Sequence, residues 1–308
     1  MNNIEVLAVC ISEKKGTEKT EVEKIVLKED WGIEGDAHAG KWHRQVSLLA
    51  FEKIDAFRKK GAEVDFGAFG ENIIVGGVDL RSLPVGTVLE IGEAKLKVTQ
   101  IGKECHSHCN IYKKMGDCIM PREGIFAEVL KGGVVQKGES IKVIEKEEGP
   151  YRVGIVTVSD RASKGEYEDK SGPMIKELVE AAGMEVIDYV IVPDEKSQIA
   201  KKLLYFSDQR QADLVFTTGG TGFSKRDVTP EATKQVVERE VPGIGEALRA
   251  YSLTITPKAM LSRQTAGIRG NTLIINLPGS PKACKENIDY IMTPLKHGLG
   301  ILSGRETN

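Results

Sequence analysis

The chain is 308 residues long, 40% hydrophobic and 29% charged, and carries a net charge of −2. That length suits two domains better than one, and the composition is that of a chain able to bury an ordinary core. Ahead of Gly149 stand 22 basic and 25 acidic residues, and from there on 21 and 20, so neither half is basic enough to make nucleic acid or a membrane its main partner. The opening MNNIEVLAVC lacks the basic start and long apolar stretch of an export signal, and no apolar run approaches the roughly 18 residues that cross a bilayer. The expectation is a cytoplasmic protein with reduced cysteines, and the odd count of five argues further against a disulfide framework.

In chain order, residues 3–144 carry short apolar runs separated by glycine: IEVLAV, VSLLA, NIIV, TVLEI, AKLKVTQI and SIKVIE. One helix, 49–60, interrupts them. Many short strands with glycine-rich turns predict a mostly β, barrel-like first domain. The charged stretch EKEEGP at 145–150 ends in Gly-Pro and marks a boundary, giving domains at 1–148 and 149–308. Beyond it, strands are predicted at 152–158, 185–192, 213–217 and 272–277. Helices are predicted at 173–182, 195–206 and 281–302, with further helical segments between the glycine loop and Leu253. This alternation predicts an α/β domain with a doubly wound, mostly parallel sheet.

In such a sheet ligands bind beyond the carboxyl ends of the strands. The four exits read Ser159-Asp160-Arg161, Pro193-Asp194-Glu195, Thr217 to Gly222 followed by Lys225-Arg226-Asp227, and Pro278-Gly279-Ser280-Pro281. Glycines at 219, 220 and 222 free the backbone to turn several N–H groups toward one point, an array suited to phosphate oxygens, and Thr218 and Thr221 offer hydroxyl donors. Ser280 opens a helix, whose N-terminus favours anions. Asp194 and Asp227 suit a Mg²⁺ ion bridging to phosphate, with Lys225 and Arg226 offsetting charge. The alternative, tight turns capped by aspartates, explains each loop singly but not their coincidence at successive strand exits. Neither a GxxxxGK(S/T) loop nor a GxGxxG fingerprint occurs, since position 225 is lysine.

The segments VSDRAS (158–163), IVPDE (191–195), TTGGTGFSKRDVTPEAT (217–233) and LSRQTAGIRGNTLIINLPGSPKA (261–283) resemble the MogA/MoaB and gephyrin G-domain family, across essentially all of 151–308. The resemblance implies a domain that binds molybdopterin and, in its adenylyltransferase members, joins it to AMP from Mg-ATP. By that likeness Asp227 and Asp194 support metal and catalysis. Thr218, Gly219, Gly220, Thr221, Gly222, Gly279 and Ser280, with Ser159 and Arg226, line the site for pterin and nucleotide. It also implies a homo-oligomer, a trimer through this domain, with a molybdenum insertase or molybdoenzyme as partner.

In the first half, Cys105, Cys109 and Cys118 fall within fourteen residues, with His106 and His108 between the first two. Structural zinc is one reading, though Cys118 lacks a close second ligand to complete the usual paired spacing. A thiolate for a soft or high-valent metal such as molybdenum is another, helped by Lys103 and Arg122. The segments IEGDAHAGKWHRQVSLLA (33–50), FGENIIV (69–75), VGTVLEIGEAKLKVTQIGKEC (85–105) and GDCIMPREGIFAEVLKGG (116–133) resemble the MOSC domains, named for the C-terminal domain of molybdenum cofactor sulfurase. This likeness implies a β-barrel-like fold and a cysteine that ligates molybdenum or carries sulfur. Cys109 is taken as the ligand because it precedes an apolar, strand-like run, with Cys105 and Cys118 as substitutes. Asp36, His38 and Arg44 could line an anionic pterin site, or serve only as a turn cap and solvated side chains.

Together the halves point to molybdenum cofactor biosynthesis, an adenylyltransferase joined to a cofactor-binding module. Two alternatives stand beside it: a molybdenum-dependent reductase or sulfur-transfer enzyme centred on the first half, and a non-enzymatic cofactor carrier.

Overall fold

A computed structural model describes residues 3–104, 112, 116–146 and 148–306, and the chain divides into the units Met1–Glu148 and Gly149–Asn308. The first unit is built from β1 (Glu5–Ile11), β2 (Thr20–Val22), β3 (Lys24–Lys28), β4 (Gly32–Ile33), β5 (Val46–Ala50), β6 (Ile73–Gly76), β7 (Val88–Ile91), β8 (Ala94–Ile101), β9 (Ile125–Lys131), β10 (Gly133–Gln136) and β11 (Ile141–Ile144). Among the described residues these form an eight-stranded sheet in the order β11-β7-β8-β9-β5-β6-β1-β2 and a three-stranded sheet in the order β10-β3-β4. Among the described strands of this unit only β5 and β6 pair in parallel. Strand β1 also bonds to the chain entering β11, through Val6 N–H to the Glu139 carbonyl (2.9 Å) and Ile141 N–H to the Ile4 carbonyl (2.8 Å).

Alternating burial along β3 sends Ile25 and Leu27 inward, where Leu89, Ile91, Leu96 and Val98 join them in one core. The helix predicted at 49–60 begins later, at Phe51, and runs to Arg58. Leu49 and Ala50 are held in β5 by pairing with Ile74 and Val75 of β6, a tertiary constraint stronger than their local helical preference. The run after Cys109 lies outside the described residues except for Tyr112, which is helical; Met120–Glu123 is helical, and among the described residues the next strand starts at Ile125.

The second unit contains β12 (Arg152–Val158), β13 (Glu185–Val192), β14 (Leu214–Thr218), β15 (Arg239–Glu240), β16 (Ala266–Arg269) and β17 (Thr272–Leu277), in the order β13-β12-β14-β17-β16-β15. The first four of that order are parallel, and β16 and β15 extend the sheet antiparallel. Val153, Ile155, Leu214, Phe216, Leu273 and Ile275 form one core, shared with the helices Ser171–Ala181, Pro242–Leu253 and Pro281–Ser303. The alternate positions Val156, Val158, Val215 and Ile274 join a second core with the helices Lys196–Leu204 and Thr229–Val236. Near-continuous apolar strands covered on both faces are the expected result of parallel pairing. The helix Ser171–Ala181 starts two residues ahead of its prediction because the Asp169 carboxylate accepts the N–H groups of Ser171 (2.9 Å) and Gly172 (3.1 Å), satisfying two donors of its first turn. The helix predicted to reach Phe206 stops at Leu204 and passes into a π-helical turn, Tyr205–Gln209.

Gly154 makes room for the ring of Phe206, which is fully buried; a Cβ built there would stand 2.4 Å from the ring. Gly154→Ala is therefore expected to cost about 1–3 kcal/mol by overpacking. The cost should appear as a lower urea midpoint for the second unit, and an unchanged midpoint would show that the ring moves freely.

Candidate active site

Parallel pairing puts the ends of β12, β13, β14 and β17 on one rim, and their loops are tied to each other there. Asp160 N–H donates to Asp194 Oδ2 (2.7 Å), and Asp194 N–H donates to Asp160 Oδ1 (3.1 Å). The glycine loop crosses this pair. Gly219 and Gly220 take φ of +96° and +63°, a region that suits glycine. A Cβ on Gly219 would meet the Val158 carbonyl oxygen at 2.3 Å, and one on Gly220 would lie 2.4 Å from Thr229 Oγ1 and 3.2 Å from Asp194 Oδ1. At Gly222 it would stand 2.9 Å from Asp227 Oδ2. Both carboxylates thus border the loop. From the last exit, Gly279 rests against Gly219, and its carbonyl accepts the Ser171 hydroxyl (3.0 Å).

Asp160 and Asp194 are shifted in opposite directions. Arg226 grips Asp160 with Nε (3.0 Å) and Nη2 (2.8 Å) and reaches Glu195 with Nη1 (2.7 Å). This hydrogen bonding holds the Asp160 carboxyl below its ordinary value. Burial pushes the Asp194 carboxyl up, and the charges of Asp160 and Asp227 push the same way. Asp227 Oδ2 accepts the Ser224 N–H at 2.8 Å.

Other predicted residues take different roles. The Thr218 hydroxyl is no ligand donor: it is buried and donates to the Pro278 carbonyl (2.7 Å), with Cys284 Sγ at 3.3 Å. Arg226 is occupied by two carboxylates rather than left over to neutralise phosphate. Ser159 caps the short helix Asp160–Ser163, accepting from Ala162 N–H. Thr221 is buried, and Ser280 is exposed at the start of Pro281–Ser303 with no side-chain cap bond. Sequence reasoning missed Asp169, which also accepts the Thr157 hydroxyl (2.6 Å), and Arg263, whose Nε donates to the Gly222 carbonyl (2.7 Å). No spacing marks either one.

In the first unit a cavity of about 220 Å³ is lined by residues that include His38, Trp42, Arg44, Asn72, Lys103 and Phe126. The Arg44 guanidinium lies 4.7 Å from the Trp42 ring centre and 5.6 Å from that of Phe126. Asp36 does not line the cavity. It is buried beside it and accepts from Lys19, Ser12 N–H, His38 N–H and Asn72. Burial pushes its carboxyl up, but the bonds from His38 and Lys19 outweigh that and hold it well below the carboxylate range. Cys118 is buried in an apolar cluster with Ile119 and Met120 and is not among the described residues that line the cavity. Cys105 and Cys109 lie outside the described residues.

A family model for the probable molybdopterin binding domain matches residues 154–297. The molybdopterin adenylyltransferase of Helicobacter pylori strain J99 is 46% identical over 154 residues, spanning 49% of this chain and 88% of that protein. The chain belongs to the molybdopterin-binding family. The molybdopterin adenylyltransferase of Escherichia coli K12 is likewise 46% identical, over 46% of this chain and 73% of its own length. The crystal structure of the molybdopterin biosynthesis enzyme MoaB from Thermus thermophilus is 46% identical, covering 50% of this chain and 97% of that one with a TM-score of 0.48. A MOSC domain model matches residues 35–142, so the molybdopterin-binding half follows a MOSC half.

Glu71 is fully buried in the MOSC half, where burial pushes its carboxyl up to about 7 against the N–H groups of Gly67 and Phe69 that it accepts. The folded state therefore holds this proton more tightly than the unfolded chain, whose carboxyl titrates near 4.5. Stability from this group is complete below 4.5 and lost as pH rises to about 7. Glu71→Gln should flatten that fall in the thermal unfolding of the MOSC half, and parallel pH curves for parent and variant would contradict the assignment.

Proposed function

We propose that the second unit transfers AMP from Mg-ATP to molybdopterin, and that the MOSC unit holds the molybdenum cofactor. The observation that carries this reading is the meeting of four strand exits on one rim, with Asp194 and Asp227 against a glycine loop. A terminal phosphate oxygen of the pterin attacks the α-phosphorus of ATP, the bond to the β-phosphate oxygen breaks, and pyrophosphate leaves. Such a transfer asks for positioning and charge rather than a covalent nucleophile. The glycine loop holds phosphate oxygens, and the exposed Ser280 hydroxyl offers a donor at a helix start.

The acidic pair fits a magnesium ion. Asp194 is made reluctant to ionise by burial and by its acidic neighbours, a crowding that a divalent cation relieves. Magnesium commonly takes one or two carboxylates and leaves the rest of its shell to substrate phosphates and water. Among the described residues no group of three or more His, Cys, Asp or Glu is arranged for a metal, so phosphates would complete the shell. When bound, the ion would neutralise charge on the departing pyrophosphate.

In the MOSC unit, Arg44, Lys103 and His38 give the cavity cationic and donor groups for an anionic pterin. Lys103 and Glu104 line it and lead in sequence into Cys105, which supports Cys109 as the molybdenum ligand, with Cys105 and Cys118 as its substitutes. This adjacency favours, as a second reading, reductase or sulfur-transfer chemistry in the MOSC unit with the other unit as loader. We place the protein in the cytoplasm; no helix among the described residues is long and apolar enough to cross a membrane. A trimer through the second unit completes the proposal.

Incubation with ATP, magnesium and molybdopterin should release pyrophosphate. Asp227→Ala should abolish release while leaving the circular dichroism spectrum unchanged, because Asp227 sits in a loop outside both cores. Undiminished release would refute its role. Cys109→Ser should lose molybdenum from the purified chain, and full retention would point to another ligand.

A further inference from the structure

Three main-chain carbonyls of the loop that carries Asp227 turn toward one residue. Arg263 N–H donates to the Thr221 carbonyl (2.9 Å), Nε to the Gly222 carbonyl (2.7 Å), and Nη2 to the Asp227 carbonyl. Nη1 is taken up by Glu231, so the positive charge is met within the protein. The peptide bonds are trans and planar, so each N–H points away from the carbonyl of its own unit. The N–H groups of Gly222, Phe223 and Val228 belong to the same peptide units as these three carbonyls, so each is aimed away from the contact its carbonyl makes with Arg263. Among the described residues none of these three N–H groups has a main-chain acceptor.

We propose that Arg263 is the positioning residue of the phosphate site: by gathering three carbonyls on one side, it presents three N–H donors on the other to an anionic phosphate group. This deepens the proposed function and rests on it only for the identity of the phosphate-bearing ligand. Arg263 itself does not touch that ligand. A planar guanidinium spreads its donors over several acceptors at fixed angles, which a lysine ammonium does not reproduce. The loop also keeps Asp227 in place, since Ser224 N–H reaches its carboxylate from within the same turn.

The test uses the full chain and inorganic pyrophosphate as probe. Arg263→Lys should weaken pyrophosphate binding by about ten-fold in titration calorimetry, the loss expected when several aligned donors are misdirected. It should also speed hydrogen exchange of the amides at 219–229 while those of the helix Ser171–Ala181 stay as protected as before. Arg263→Ala with added guanidinium ion should recover part of the affinity, which a general loss of folding would not allow. Equal affinity and equal exchange in Arg263→Lys overturns the proposal, as does a parent chain that binds no pyrophosphate. A parent that binds pyrophosphate but transfers no AMP removes the adenylyl reaction and leaves this inference to the variants.

Discussion

A residue without a side chain holds the cleft together. At Gly219 the chain leaving β14 passes so close over the end of β12 that any Cβ would collide with the Val158 carbonyl, and the loop from β17 leans on the same glycine. Three strand ends are therefore packed main chain against main chain. That approach sets where Gly220 and Gly222 come to lie, and hence which carboxylates can border them. Substituting this position would not remove a contact but would wedge apart the surfaces that the rest of the cleft assumes are touching.

On that frame the protein sorts three chemically identical carboxylates into different electrostatic roles. Asp160 is gripped by Arg226 and stays ionised, serving as a joint between loops. Asp194 gives its side chain to the same joint, yet burial makes its negative charge costly. Asp227 sits across the glycine loop from Asp194 and adds to that cost. An arrangement that leaves one acid paired and two crowded has less use for another anion than for a cation carried in with phosphate. The same division explains why Arg226, conspicuous in the sequence as a phosphate partner, is taken up inside the protein.

The legible part of the fold was the part written in local pattern. Strands 152–158, 185–192 and 272–277 were placed to the residue, since each is an apolar run bounded by turn signals. Strand β16 was missed, because AGIR shows no alternation and its partner is supplied by the hairpin through Gly270. Likewise VSLLA and the helix after it share one apolar run, and only pairing with β6 decides where strand ends and helix begins. In the cleft, the aspartates and glycines were legible because their types announce their chemistry. Thr218 was misread because no sequence shows that its hydroxyl turns inward to Pro278. Arg263 was silent for a similar reason: three of its acceptors are the main-chain carbonyls of Thr221, Gly222 and Asp227, far from it in sequence, and a carbonyl has no letter.

Beneath the loop from β17, the Cys284 thiol donates to the Pro278 carbonyl (2.8 Å) and lies fully buried. Burial pushes this thiol up to about 11, so it is not a reactive thiolate until the loop has lifted far enough to admit water. Its rate of alkylation, followed at the peptide that carries Cys284, is thus a built-in stopwatch for loop opening. A tenant in the cleft that pins Pro278 and Gly279 would slow that clock.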